Sequence, residues 1–419
     1  MRDLTLGSLF SGSGGFELAG IISGIKPVWN SEIEPFPIRV EECRFPDVLQ
    51  LGDVSKIDGH LIPPVDIITF GSPCQDMSIA GSRSGLCGPK SSLFYEAIRI
   101  IKEMREATNG EYPKYAVWEN VKGALSSNKR RDFREVLQEF IKIKDAEAYV
   151  PQPTKWEHAG TIMGDTYSIA WRLFNAKFWG VPQRRERIYL VADFAGHSAG
   201  KILFESEGMS GYSKQMCKTR QETAGRFGIC VDTAGSNLAL FENHMRDSRY
   251  NKVDVCPTLT SMLGTGGNNQ PLVVEKNKHI YHSSTGDYHM RFSDVDVADT
   301  LLATDYKSPQ VLIEEPYYIA RRLTPIECAR LQGFPDWWCD NLHSHEPTDE
   351  EIEKYTAIFE TYRQAINKDM KPKTRNQIIR FLKKPYSDTA AYKMWGNGIA
   401  LPNAIFVLSG IVSNVSRET

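Results

Sequence analysis

Short apolar runs alternate with helical periods over the first 193 residues. LTLGSLF (4–10) precedes FELAGIISGI (16–25), and PVWNSEI (27–33) follows. VDIITF (65–70) precedes SLFYEAIRIIKEM (92–104), YAVWENV (115–121) precedes DFREVLQEFIKI (132–143), and RIYLVADF (187–194) closes the series. Strands that alternate with amphipathic helices predict a doubly wound α/β domain over residues 1–193, with a mostly parallel sheet covered on both faces. Ligands of such a sheet bind at the carboxyl ends of its strands.

Beyond about residue 195 the texture changes to Gly, Ser, Asn and Thr with short alternating runs. VDVCPTLTSMLGTGGNNQPLVV (253–274) and VDVADTLLATDYKSPQVLI (295–313) echo one another, which predicts paired strand-loop-strand units in a smaller, loop-rich, mainly β domain over 194–318. Residues 319–419 form a C-terminal segment. Within it RRLTPIECARLQGF has proline near a helix start and glycine past its end. A charged and then basic stretch over about 340–385 predicts a helical insertion, and a final apolar helix, entered through Gly396-Asn397-Gly398, is expected to return to the first domain.

The length, 419 residues, exceeds one comfortable core, in agreement with two domains. With 41% hydrophobic and 24% charged residues the chain is globular rather than disordered. No apolar stretch reaches the roughly 20 residues that span a bilayer, and MRDLTLGSLF is too short an apolar start for a signal peptide, so a cytoplasmic protein without membrane contact is expected. Eight cysteines without a Cys-x-x-Cys pair suggest neither a zinc site nor a disulfide framework. The net charge of −2 predicts no polyanion partner, but Lys129-Arg130-Arg131, Arg184-Arg185-Glu186-Arg187, Arg321-Arg322 and the segment 371–384 are local basic clusters. One positive face is enough for nucleic acid.

The glycine-rich LFSGSGGF follows a predicted strand and opens a helix, which gives a ligand close backbone approach and a free helix N-terminus. Glu17 occupies the third glycine position of the dinucleotide fingerprint, so NAD is disfavoured. Glu32, at the end of the second strand, can accept from a ribose diol, and Asp53 near the end of the third can accept an adenine amino group. Together they suit S-adenosylmethionine. Cys74 in FGSPCQ lies at the next strand end, where Pro73 fixes the backbone before the sulfur. Glu119 ends the following strand. A thiol that adds to carbon 6 and a carboxyl that protonates nitrogen 3 are what cytosine needs before carbon 5 can attack a methyl donor. An arginine of the 184–187 cluster can hold the pyrimidine carbonyl, and the others can pair with phosphate.

LFSGSGGF, SEIEPF, GDVSKI, FGSPCQDMS, WENVKG, PQRRERIYLV, RRLTPIECARLQGFPDWW and YKMWGNGIALP together resemble, in order, the motifs of the DNA (cytosine-5) methyltransferases of bacteria and phages. The resemblance covers residues 4–193 and 320–410. It implies Cys74 as nucleophile, Glu119 as the group that protonates the base, and Arg185 and Arg187 on the flipped base or the backbone. It implies cofactor contacts from Phe10, Gly12, Gly14, Gly15, Glu32, Asp53, Pro73, Leu93 and Asn397, a mobile loop from Gln75 to about Pro89, and a target-recognition role for the region between about 195 and 318. S-adenosyl-L-methionine is the implied cofactor, with no metal. Duplex DNA is the implied substrate of a monomer whose functional, not physical, partner is a cognate restriction endonuclease. Three departures are Ser8 where aspartate is common, Ile33 where an aromatic packs on adenine, and Gly398 where serine or alanine is usual. Two rival readings are an RNA cytosine-5 methyltransferase and a DNA-binding relative without turnover.

Overall fold

The computed structural model describes residues 3–72, 92–204, 238–244, 249–261, 263, 271–282, 291–293 and 311–418. Pro73, Cys74 and the segment from Gln75 to Pro89 lie outside the described residues.

The first elements are β1 (Thr5–Leu9), α1 (Gly15–Ile22), β2 (Lys26–Ser31), α2 (Pro35–Arg44), β3 (Leu49–Gln50), β4 (Ile67–Phe70), α3 (Ser92–Ala107), β5 (Tyr115–Val121) and α4 (Arg131–Lys142), which follow the predicted alternation with α2 as a helix that the apolar runs did not mark. They are followed by β6 (Ala159–Met163), β7 (Ser168–Asn175), β8 (Glu186–Asp193) and the short α5 (Ala199–Leu203). The eight strands form one sheet in the order β3-β2-β1-β4-β5-β8-β7-β6. Pairings from β3 to β5 are parallel, whereas β8 runs antiparallel to β5 and to β7, and β6 antiparallel to β7.

Period-two alternation buries both faces. Leu6, Ile67, Val117, Tyr189 and Val191 share one apolar cluster with Phe16 of α1. Leu9, Ile68, Phe70, Trp118 and Leu190 share the other with Phe94 of α3 and Phe133 of α4. Trp118 stacks on Phe133 with centroids 6.3 Å apart.

A second sheet is antiparallel throughout: β9 (Leu238–His244), β10 (Arg249–Lys252), β11 (Leu272–His282), β12 (Arg291–Ser293) and β13 (Val311–Arg322), with β11 between β9 and β13. The chain just past β10 meets the segment before β8, where Arg184 N donates to Cys256 O at 2.7 Å and Cys256 N to Pro182 O at 2.9 Å.

The C-terminal segment comprises α6 (Pro325–Gln332), α7 (Asp349–Ile366), α8 (Arg375–Lys383), α9 (Asp388–Asn397) and α10 (Leu401–Glu418). A capping box between Thr324 and Glu327 starts α6, and Gly333 at φ 88° ends it. α7 and α8 close a small core of Ile352, Tyr355, Ile378 and Leu382. This hairpin is tied to α2 by Arg39–Glu351 at 2.8 Å and by the Tyr355 hydroxyl donating to Glu42 at 2.6 Å. The returning helix α10 puts Ala404, Val407, Leu408 and Ile411 into the same cluster as Phe16 of α1 and Ile202 of α5. Among the described residues no single helix is long and apolar enough to cross a membrane.

Candidate active site

The glycine turn joins β1 to α1 through three left-handed residues, Phe10 (φ 56°), Gly12 (φ 61°) and Gly14 (φ 74°). Phe10 is the costly one, because its Cβ crowds the backbone there. Gly14 and Gly15 are required by packing: a Cβ on Gly14 would come 2.6 Å from the Phe45 ring and one on Gly15 2.6 Å from Ile399. The parallel pairing of β1 and β2 brings Glu32 under the turn. Gly12 N donates to Glu32 Oε2 at 2.9 Å, and Ile33 N and Glu34 N donate to Oε1 at 2.7 and 2.9 Å. Burial, and then the Glu34 charge, push the Glu32 carboxyl upward against those hydrogen bonds.

The Gln50 side chain ties the end of β2 to the loop that carries Asp53, accepting from Glu32 N at 3.2 Å and Gly52 N at 2.8 Å. Asp53 caps a short 3-10 turn, Val54–Lys56, through Oδ1, which accepts from Ser55 N at 3.0 Å and Ser55 Oγ at 2.8 Å. Phe10 and Leu93 pack on the rim of one apolar cluster. Asn397 is the exposed last residue of α9, and a Cβ on the adjacent Gly398 would come 3.1 Å from Ser13 Oγ. Phe10, the glycines and Glu32 thus gather at the carboxyl ends of β1 and β2, Asp53 follows β3, and Gly398, next to Asn397, reaches the turn at Ser13.

Glu119 lies at the end of β5, buried on the face it shares with Tyr189 and Arg187. Arg187 Nε is 3.0 Å from Glu119 Oε1. Burial raises the Glu119 carboxyl above its usual range, and Arg187 and then Arg185 partly offset this. Register pairs Phe70 with Trp118. Gly71 therefore flanks Glu119, and a Cβ there would be 3.3 Å from Oε2.

Arg185 is engaged by the protein's own backbone. Its guanidinium is buried and donates to the carbonyls of Gly396, at 3.5 Å, and Gly398. The second arginine of the motif thereby fixes the turn that carries Asn397, while Arg187 makes the ion pair with Glu119.

Sequence reasoning missed three features. Tyr189 lies opposite Glu119 with its hydroxyl buried, and it accepts or donates no hydrogen bond among the described residues. Burial and the Glu119 charge hold the phenol far above its usual range, so it stays neutral. The signal for it was a tyrosine two residues past Arg187, hence on the same strand face. Glu17 and Glu41 are a pair of buried carboxyls behind the glycine turn. Burial raises Glu17 to about 7 and, with Glu17 beside it, lifts Glu41 well above its ordinary value. Glu17 was visible only as a break in a glycine fingerprint, and Glu41 not at all.

A doubly wound sheet with a glycine turn, an acid at the end of β2 and a buried carboxyl at the end of β5 defines the methyltransferase fold. A solved methyltransferase of Entamoeba histolytica shares it, at 13% identity over 99% of both chains with a TM-score of 0.50. The chain belongs to the C-5 cytosine-specific DNA methylase family, which matches residues 4–153 and 157–350. Among its relatives is the type II methyltransferase M1.ScrFI of Lactococcus lactis subsp. cremoris, 29% identical over 94% of this chain and 74% of that protein. Another is a protein of Escherichia phage P1 described as a DNA N-6-adenine-methyltransferase, 27% identical over all of this chain. The chain spans 62% of the length of that phage protein.

Proposed function

We propose that this chain transfers a methyl group from S-adenosylmethionine to carbon 5 of a specific cytosine in duplex DNA, through base flipping and a covalent cysteine adduct. The observation that carries the reading is Glu119: a buried, upshifted carboxyl with an arginine at 3.0 Å, on the strand beside the one that leads into Cys74. Carboxyls held protonated by burial serve as acids near neutrality. Glu119 donates its proton toward nitrogen 3 of the extruded base, Arg187 binds the pyrimidine carbonyl, and the Cys74 thiolate adds to carbon 6. The electron pair of the broken carbon 5–carbon 6 double bond becomes available at carbon 5. After transfer, loss of the carbon 5 proton and departure of the thiolate restore the ring.

The residues around the glycine turn fit the cofactor. The left-handed turn leaves backbone room over Gly12, and Glu32 and Asp53 offer carboxylate oxygens at adjacent strand ends, suited to a ribose diol and an adenine amino group. S-adenosylmethionine supplies an electrophilic methyl group there. Phe10 and Leu93 would border its adenosine, Asn397 would approach from α9 on the turn that Arg185 fixes through the carbonyls of Gly396 and Gly398, and Pro73 is the further contact that the family resemblance implies. The region 194–318 reads the DNA sequence, and a cognate restriction endonuclease is the functional counterpart.

Adenine N6, named for the phage P1 relative, is the second reading. The Glu119–Arg187 pair favours cytosine, because protonation of nitrogen 3 has no use in transfer to an exocyclic amine. The test is incubation of the protein and cofactor with duplex DNA that carries 5-fluorocytosine. A complex that survives denaturation, and that is absent with Cys74→Ser, is expected. Methyl transfer to DNA or transfer RNA without any trapped duplex would overturn the proposal.

A further inference from the structure

The basic cluster 129–131 was left unused by the site, yet it overlaps a run of three consecutive left-handed non-glycine residues, the only such run among the described residues. Asn128, Lys129 and Arg130 are all left-handed, with φ 45°, 55° and 73°, and none is glycine. Left-handed residues occur singly because each non-glycine Cβ is crowded there; three in succession persist only where the surroundings impose them. Here the clamps are visible. The Gln152 side-chain amide donates to Lys129 O at 2.9 Å, the Trp156 indole N–H to Arg130 O at 3.0 Å, and the Asn128 side chain to Asp132 at 3.2 Å. Trp156 is itself nearly buried, edge-on to Phe133 at 5.2 Å and to Trp171 at 5.9 Å, so the clamp stands on the core.

This rigid turn displays Lys129 and Arg131 to solvent, and among the described residues neither has a carboxylate within 4.0 Å. The turn begins seven residues past the end of β5, at the carboxyl edge that carries Glu119. Lys122, on the connecting segment, pairs with Glu186 at 3.0 Å, next to Arg187. Two exposed cations without a carboxylate partner among the described residues, on a clamped turn that follows the strand carrying Glu119, are suited to neutralise backbone phosphates.

We infer that Lys129 and Arg131, presented by the clamped left-handed turn 128–130, bind phosphates of the duplex that flanks the target base. The inference rests on the proposal that duplex DNA is the substrate. Phosphate contacts position rather than specify, so their signature is the salt dependence of affinity.

The test titrates full-length protein with a labelled duplex between about 50 and 200 mM salt. Lys129→Gln/Arg131→Gln is expected to flatten the plot of log affinity against log salt by about one unit of slope per lost contact, without a change in melting temperature. Lys129→Arg/Arg131→Lys is expected to restore the slope. Gln152→Ala keeps both charges but frees one carbonyl, and is expected to weaken binding. An unchanged slope in the double glutamine variant, with wild-type protein that methylates DNA, overturns the inference. Wild-type protein that neither binds nor methylates duplex DNA overturns the underlying proposal instead.

Discussion

Gly71 and Glu119 are held side by side on adjacent parallel strands, so close that a Cβ at residue 71 would come 3.3 Å from Glu119 Oε2. Two residues further on, the chain reaches Pro73 and Cys74. The absence of a side chain at 71 is therefore what lets the carboxyl occupy the strand end that the nucleophile leaves. Gly71→Ala is expected to displace the carboxyl by a few tenths of an ångström and to lower kcat by about tenfold with little effect on folding, since misplacement of a catalytic group is costly in rate. Steady-state kinetics beside a thermal melt would show it; an unaffected kcat would mean that the carboxyl position is not critical.

Glu119→Gln removes the proton donor while it keeps the shape. A loss of roughly 10²- to 10⁴-fold in kcat is expected. In wild-type protein the carboxyl must be protonated to act, and burial raises its pKa. The contribution of Glu119 to the rate is therefore full below that raised pKa and is lost as pH rises through it. The variant should lack this alkaline limb, as a kcat–pH profile would reveal.

Arg187→Gln makes a less intuitive prediction. The guanidinium favours the ionised carboxyl, so its removal raises the Glu119 pKa further. The maximal rate should fall because a base contact is lost, yet the alkaline limb should move to higher pH. A limb that stays in place or moves toward acid would show that Arg187 does not govern Glu119.

Much of this arrangement was legible in sequence. β1, β2, β4, β5 and β8 contain apolar runs, and β-branched and aromatic residues are frequent in β4, β5 and β8. The hairpin of β6 and β7 was not legible: β6 is an edge strand that alternates exposed and partly buried residues, with no apolar run to mark it. That omission hid the antiparallel direction of β8, since a run such as RIYLVAD carries no sign of its direction. The contact of Glu119 with Arg187 depends on that direction, because register opposes Val121 to Arg187. Composition likewise gives no hint that Arg185 is spent on the carbonyls of 396 and 398. A carboxyl such as Glu41 reads as surface on a charged helix until α1 packs over it.

Gly396 tests the junction between the two sheets. A Cβ there would come 2.3 Å from the backbone of Thr260 and Ser261, atoms that have no rotamer to yield. Gly396→Ala is expected to destabilise the protein by about 1–3 kcal/mol, measured by denaturant unfolding, and to raise the KM for cofactor, because the turn it distorts carries Asn397.

Glu17 offers the clearest dependence of stability on pH. It is fully buried on α1, neither of its oxygens has a hydrogen bond of good geometry among the described residues, and burial raises it from 4.5 to about 7. The folded protein then binds a proton that the unfolded chain has already released between those values. Stability should therefore fall as pH rises from about 4.5 to about 7 and level off above, by an amount on the order of 1–3 kcal/mol. Glu17→Gln has no charge to bury. The variant should match wild type near pH 5 and melt at a higher temperature at pH 8, with the difference opening through the neutral range. Parallel melting curves at all pH values would show instead that Glu17 keeps its ordinary carboxylate range, and that the carboxyls behind the glycine turn are hydrated.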